Sequence, residues 1–209
     1  MDLRRAFERF ATSELEVWNQ ATKTYRPTGI MGSVQVYDRF ISDRDFGQKK
    51  RIFLVPGEFN SDNKLDFATL VLRVKGQSLN YLMESATPDI DVTGVYASSL
   101  VLREARDLVK IWRQGGKKKR ASGTGYTDEA ETLTAEVYAD FSRYSQESSR
   151  DVQDVDYTIG TWYFPRATKV DLDSIIENPR GERFVVKEVT SFLNLLMVRV
   201  QERERVLNG

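Results

Sequence analysis

Two stretches in separate halves of this chain carry one pattern. VQVYDRF (34–40) and AEVYADF (135–141) each set Val-Tyr-x-x-Phe after an apolar–polar alternation. A period of two marks a strand with one buried face. Four further matches follow in unbroken order. Glu16-Val17-Trp18-Asn19-Gln20 answers Lys110-Ile111-Trp112-Arg113-Gln114, and Phe53-Leu54-Val55-Pro56 answers Trp162-Tyr163-Phe164-Pro165. Lys75-Gly76 ahead of Tyr81-Leu82-Met83-Glu84 answers Arg180-Gly181 ahead of Val185-Val186-Lys187-Glu188. Leu100-Val101-Leu102-Arg103-Glu104 answers Met197-Val198-Arg199-Val200-Gln201-Glu202. Strands draw on a narrow alphabet, so any single match is weak. Their shared order points to one small β unit occurring twice.

Most of the chain reads as strand. The alternating or β-branched runs are 15–18, 33–40, 51–55, 67–74, 80–84, 99–104, 107–113, 133–141, 157–164, 183–189 and 195–202, with a short piece at 173–178. The run at 80–84 is expected to stop before Pro88, since proline removes a ladder donor. Residues 98–112 also fit a helical face through Val101, Ala105, Leu108 and Trp112, and period alone does not decide. At the N-terminus, Leu3, Phe7 and Phe10 fall on one face of a short helix. The segments 114–130 and 142–156 lack apolar period and read as long polar loops.

A sheet of five or six short strands must bury one face, and closing it also removes its edges. The expected fold is therefore mainly β: two tandem small β-barrels with a short N-terminal helix. The expected division is 1–13 for the helix, 14–105 for the first barrel and 106–209 for the second.

Composition narrows the chemistry. The 209 residues include no Cys and no His. Disulfides, thiolate nucleophiles, imidazole bases and nearly all transition-metal sites are excluded. Lys+Arg and Asp+Glu each number 31, so no basic excess suggests a nucleic-acid coat. No apolar run reaches the roughly 18–20 residues of a membrane helix, and MDLRRAFERF lacks the apolar core of a signal peptide. The expectation is a non-enzymatic cytoplasmic product with no cofactor, no metal and no membrane contact.

The second half has a distinctive layout. A strand leads to a polar loop, then to VYADF; a second polar loop leads to a strand ending in Tyr163-Phe164-Pro165. Then comes Arg180-Gly181-Glu182-Arg183-Phe184-Val185-Val186, and a last alternating strand ending in charge. This resembles the head-closure proteins of tailed bacteriophages, also called stoppers or head–tail adaptors. Their small barrel carries an x-Gly-x-x-Tyr/Phe-x-Val hairpin near its C-terminus. The resemblance covers 107–205, and reaches 14–104 only through the repeat. Members of that family often hold one barrel, whereas this chain would hold two.

The resemblance implies a structural virion protein, assembled in the host cytoplasm and located in the neck. It implies self-association as a ring joining the portal or connector to the tail terminator or tail tube, around a channel through which viral DNA passes. The family's gating loop matches 142–156 by position. The candidate channel residues are then Glu147, Arg150, Asp151, Asp154 and Asp156, and the four acids among them suit a wall that DNA slides past. Lys117, Lys118, Lys119 and Arg120 in the other loop are the candidate partner contacts.

Other readings compete. An OB-like barrel binding single-stranded nucleic acid or a peptide would need exposed stacking aromatics beside a basic groove. Trp18, Trp112 and Trp162 could supply them, although aromatics on alternating strands are core more often. Asp151, Asp154 and Asp156 could hold Ca²⁺, as could Asp62 with Asp66 or Asp171 with Asp173, but none has a calcium loop's spacing. Gly115-Gly116 and Gly123-x-Gly125 lack the strand-to-helix setting of a phosphate loop. A carboxylate-dependent hydrolase would need two acids paired across a cleft, and nothing in the sequence pairs them.

Overall fold

A computed structural model describes residues 3–36, 50–59, 66, 70–92, 94–119, 126–128, 130–144 and 159–202. Among the described residues are one helix, α1 (Leu3–Phe10), and fourteen strands. The first six are β1 (Ser13–Asn19), β2 (Thr24–Val36), β3 (Lys50–Pro56), β4 (Val71–Val74), β5 (Asn80–Asp91) and β6 (Gly94–Ala105). Then follow β7 (Asp107–Arg113), β8 (Lys117–Lys119), β9 (Tyr126–Asp128) and β10 (Thr132–Tyr144). The last are β11 (Ile159–Pro165), β12 (Ile175–Glu177), β13 (Arg183–Phe192) and β14 (Leu195–Glu202).

Two closed barrels result. The first runs β1-β2-β3-β6-β5-β4 and the second β7-β10-β11-β14-β13-β12, all neighbours antiparallel. Strand for strand this is one topology used twice. The registers agree in detail. Phe53 faces Leu100 in the first barrel, and Trp162 faces Val198 in the second. The β5–β6 ladder passes over Glu84 between Met83 and Ser85, and the β13–β14 ladder passes over Lys187 between Val186 and Glu188. An extra residue at the same place in both barrels is far more specific than shared apolar letters.

The register corrects one match. Val34 pairs with Phe53, and Phe141 pairs with Trp162. Val34 thus stands where Phe141 stands in the second barrel, six residues before Phe40 (34 rather than 40). The two Val-Tyr-x-x-Phe motifs are not equivalent positions, and residues 37–40 lie outside the described ones.

The inward rows follow from alternation. Leu15, Val17, Phe53, Leu72, Tyr81 and Leu100 fill the first barrel, and Val109, Ile111, Trp162, Phe164, Phe184 and Val198 fill the second. Trp162 meets Phe141 at 4.6 Å between ring centroids and Phe184 at 6.1 Å, a cluster that packs the second interior.

Several expectations change. Residues 98–112 are two strands, β6 and β7, and not a helix; alternation and the closing ladder override the helical spacing. β5 runs through Pro88 to Asp91, where the hairpin projects past the barrel. β2 begins at Thr24, well before Ser33. The 114–130 segment contains the β8–β9 hairpin. In α1, Phe7 packs on Tyr96 at 5.6 Å, but Phe10 is 69% exposed, because the helix ends one turn after its contact with the barrel.

Candidate interaction site: the seam and the barrel mouth

The outward face of the first barrel carries a second row of apolar residues. Tyr25 pairs with Trp18, Val71 with Leu82, and Leu82 with Arg103. Such outward residues would normally meet water. Here Val71 and Leu82 are buried in one cluster with Ala139, Tyr163 and Leu195 of the second barrel. The Trp18 ring adds an edge contact to Tyr138 at 5.5 Å. The barrels therefore share a continuous apolar seam.

A buried charge network crosses that seam. Arg103 is 2% exposed. Its Nε donates to Glu84 Oε2 at 3.3 Å, and its Nη1 donates to Asp140 Oδ2 at 3.1 Å, on the other barrel. Its guanidinium lies 3.9 Å above the Tyr163 ring. Lys50 Nζ donates to the second Glu84 oxygen at 2.9 Å. The bulge explains Glu84. Its backbone carbonyl is released from the ladder and accepts from the Asn194 N–H at 3.2 Å, in the β13–β14 turn. A second tie lies at the other side of the seam, where Lys23 Nζ donates to Glu136 Oε2 at 2.8 Å and Gln20 donates to the Glu136 carbonyl.

At one end the second barrel opens into a cavity of about 370 Å³, floored by Phe141, Trp162 and Phe184. Asp107, Asp140, Arg106, Arg180, Glu182 and Glu202 stand around it. Burial pushes the Asp107 carboxyl above the usual range, and the Asp140 charge adds to this. Burial likewise raises Asp140, against the pull of Arg103. Sequence reading had no means of pairing these two acids. They come together because Ala139 faces Asp107 across the ladder, which sets Asp140 beside it. Asp140 is engaged by Arg103, so the pair does not stand free as an acid and a base.

The sequence-chosen residues fare unevenly. Lys117, Lys118 and Lys119 form β8, paired with β9, so they sit on a hairpin and not on an irregular loop. Arg120 lies outside the described residues, as do Glu147, Arg150, Asp151, Asp154, Asp156 and Asp62. Among the described residues no group of three or more acids is placed to hold a metal ion. Trp162 is interior, 1% exposed, and Trp18 is packed between tyrosines at the seam. The residues that sequence reasoning missed are Glu84, Arg103 and Asp140. Their one sequence signal was charge inside an otherwise apolar strand, as in Leu100-Val101-Leu102-Arg103-Glu104.

The fold thus defines a class, a mainly-β protein of two tandem six-stranded barrels joined by a polar lock. Comparison of the chain with protein-family models, with curated proteins and with solved structures found no match.

Proposed function

We propose that this chain is a non-enzymatic structural component of a tailed-bacteriophage neck, of the head-closure type. In this reading it forms a ring between portal and tail, and the ring surrounds the channel for viral DNA. One observation carries it. The Arg180–Val186 stretch that resembles the family's hairpin forms the tight turn between β12 and β13 of a closed barrel. Gly181 adopts φ +78° there, and Phe184 and Val186 enter the interior. The residues that carry the resemblance are thus one turn and one inward-facing strand start of the second barrel.

The partners proposed are other copies of the chain, the portal or connector above, and the tail terminator or tube below. The β8–β9 hairpin is the proposed arm toward one of them, and the segment between β10 and β11 the proposed channel element. Reading the chain instead as a single-strand binder has less support, since Trp162 and Trp18 are both spent on packing.

The test is electron microscopy of the chain mixed with the portal encoded beside it. Added ring density at the narrow end of the portal is the expected result. A stable monomer that ignores the portal, and shifts a labelled single-stranded oligonucleotide with steep salt dependence, would sink the reading.

A further inference from the structure

The β5–β6 hairpin runs out past its barrel. β3 leaves β6 at the Pro56–Ala97 pair, and β4 leaves β5 at the Val71–Leu82 pair. Beyond both, the ladder continues through Ile90–Val95 to Asp91–Gly94, each strand paired there with the other. A two-stranded ribbon is marginal by itself in water. Its tip also breaks a local rule. Val92 and Thr93 make a two-residue connection, a place where tight turns select Gly, Asn and Asp. Val92 is fully exposed and Ile90 is 67% exposed. Departures from local preference are expected where a second requirement acts on the residue. Turn chemistry does not account for a valine at this tip, and a contact does.

The tip is acidic as well as apolar. It reads Asp89-Ile90-Asp91-Val92. The Asp89 carboxylate accepts from Ser99 Oγ at 2.6 Å, which fixes it on the ribbon. A receptor for this tip needs apolar walls and positive charge. Two cavities can be compared. The mouth of the second barrel sets Asp107, Asp140, Glu182 and Glu202 around its aromatic floor against Arg106 and Arg180, and disfavours a tip with two acids. The other cavity, a groove of about 470 Å³, runs between the barrels. Val71 of the first barrel and Ala135, Val137 and Pro165 of the second give it apolar walls. Arg26 of the first barrel and Lys169 of the second also line it, and both are exposed. Cations on a cleft wall concentrate acidic ligands, and pockets form readily between domains.

The tip does not reach the groove of its own chain. Leu82 pairs with Val71, which stands in the groove wall. Val92 follows ten residues later (92 − 82), about 33 Å along a strand held in its ladder.

We infer that the inter-barrel groove of one copy receives the β5–β6 hairpin tip, residues 89–92, of a second copy. The two surfaces are opposite in charge and alike in apolar character. Tip and groove are different parts of the chain, so the contact is head-to-tail, and its repetition makes rings or filaments. It is a property of the chain alone and stands apart from the neck assignment, which the portal experiment tests.

The test is small-angle scattering of the full chain at low salt across a concentration series. Association is expected, weakened about tenfold or more by Arg26→Glu with Lys169→Glu, and likewise by Ile90→Thr with Val92→Asn. Added salt should weaken it as well. Arg26, Lys169, Ile90 and Val92 are exposed, so circular dichroism should show an unchanged fold. Charge exchange supplies the second arm. An Asp91→Lys chain and the Arg26→Glu, Lys169→Glu chain should each associate poorly alone and should associate again when mixed. Three results overturn the inference: a parent chain that stays monomeric up to about 1 mM, association indifferent to either pair of substitutions, or no recovery in the mixture.

Discussion

Arg103 is a cation buried at a seam, satisfied by carboxylates from both barrels and by the Tyr163 ring. Removing one partner from such a network leaves the others charged and buried. Arg103→Met should cost about 3–5 kcal/mol in urea unfolding, and adding Asp140→Asn, which neutralises the carboxylate that lost its partner, should recover part of it, whereas Glu84 must stay charged to hold Lys50. Asp107 has the opposite character, because the folded state disfavours its charge. Its pKa is raised on folding, chiefly by burial and then by Asp140. The stability tied to its protonated form is complete below the unfolded value near 3.8 and is lost as pH rises through the raised value. The stability of Asp107→Asn relative to the parent should therefore climb as pH rises from about 4, then level off. Denaturant melts across pH check this, and a flat difference would mean that Asp107 is solvated in the folded chain.

Elements are set by alternation and closed by glycine. Gly76 and Gly181 hold φ near +80° in corresponding turns, at +82° and +78°. An L side chain is strained there, so Gly181→Ala should cost about 1–2 kcal/mol although open space surrounds it. Gly32 is constrained differently. A Cβ at that position would overlap the Phe53 ring and the Leu54 carbonyl. Gly32→Ala should therefore destabilise by about 1–3 kcal/mol or more, through displacement of Phe53 from the first interior. Thermal melts of the two variants compare strain with overlap directly. The strands at 51–55, 107–113 and 195–202 were legible because alternation and flanking turn residues agree there. The projecting half of the β5–β6 hairpin was not. Its Pro88 reads as a stop, yet the ladder pairs Pro88 with Ser98 and runs on to Asp91.

For the whole molecule, the question is whether two barrels fold as one. Val71, Leu82 and Ala105 belong to the first barrel by strand and to the second barrel's core by contact. Shared burial couples the two units, so calorimetry of the intact chain should show one cooperative transition. Leu82→Asp puts an unpaired charge into the seam while leaving both barrel interiors complete. It should split the melt into two transitions, or expose apolar surface detectable by dye binding; a single unchanged transition would show that the seam carries no coupling. The face presented by β10, β11 and β14 binds the first barrel, and α1 packs on the corresponding β2, β3 and β6 of the first barrel.

Alternating letters and the order of matched segments were enough to specify a mainly-β chain with one barrel topology used twice. Those properties are local or additive, so they survive in a linear string. The seam did not, because Glu84, Arg103 and Asp140 are meaningful only when a bulge and two barrels bring them within bonding distance. The mouth of the second barrel and the groove beside Trp18 are likewise products of packing. Outward-facing Val71 and Leu82 look like ordinary strand residues until the second barrel covers them, and only tertiary contact distinguishes a buried outer face from a solvated one.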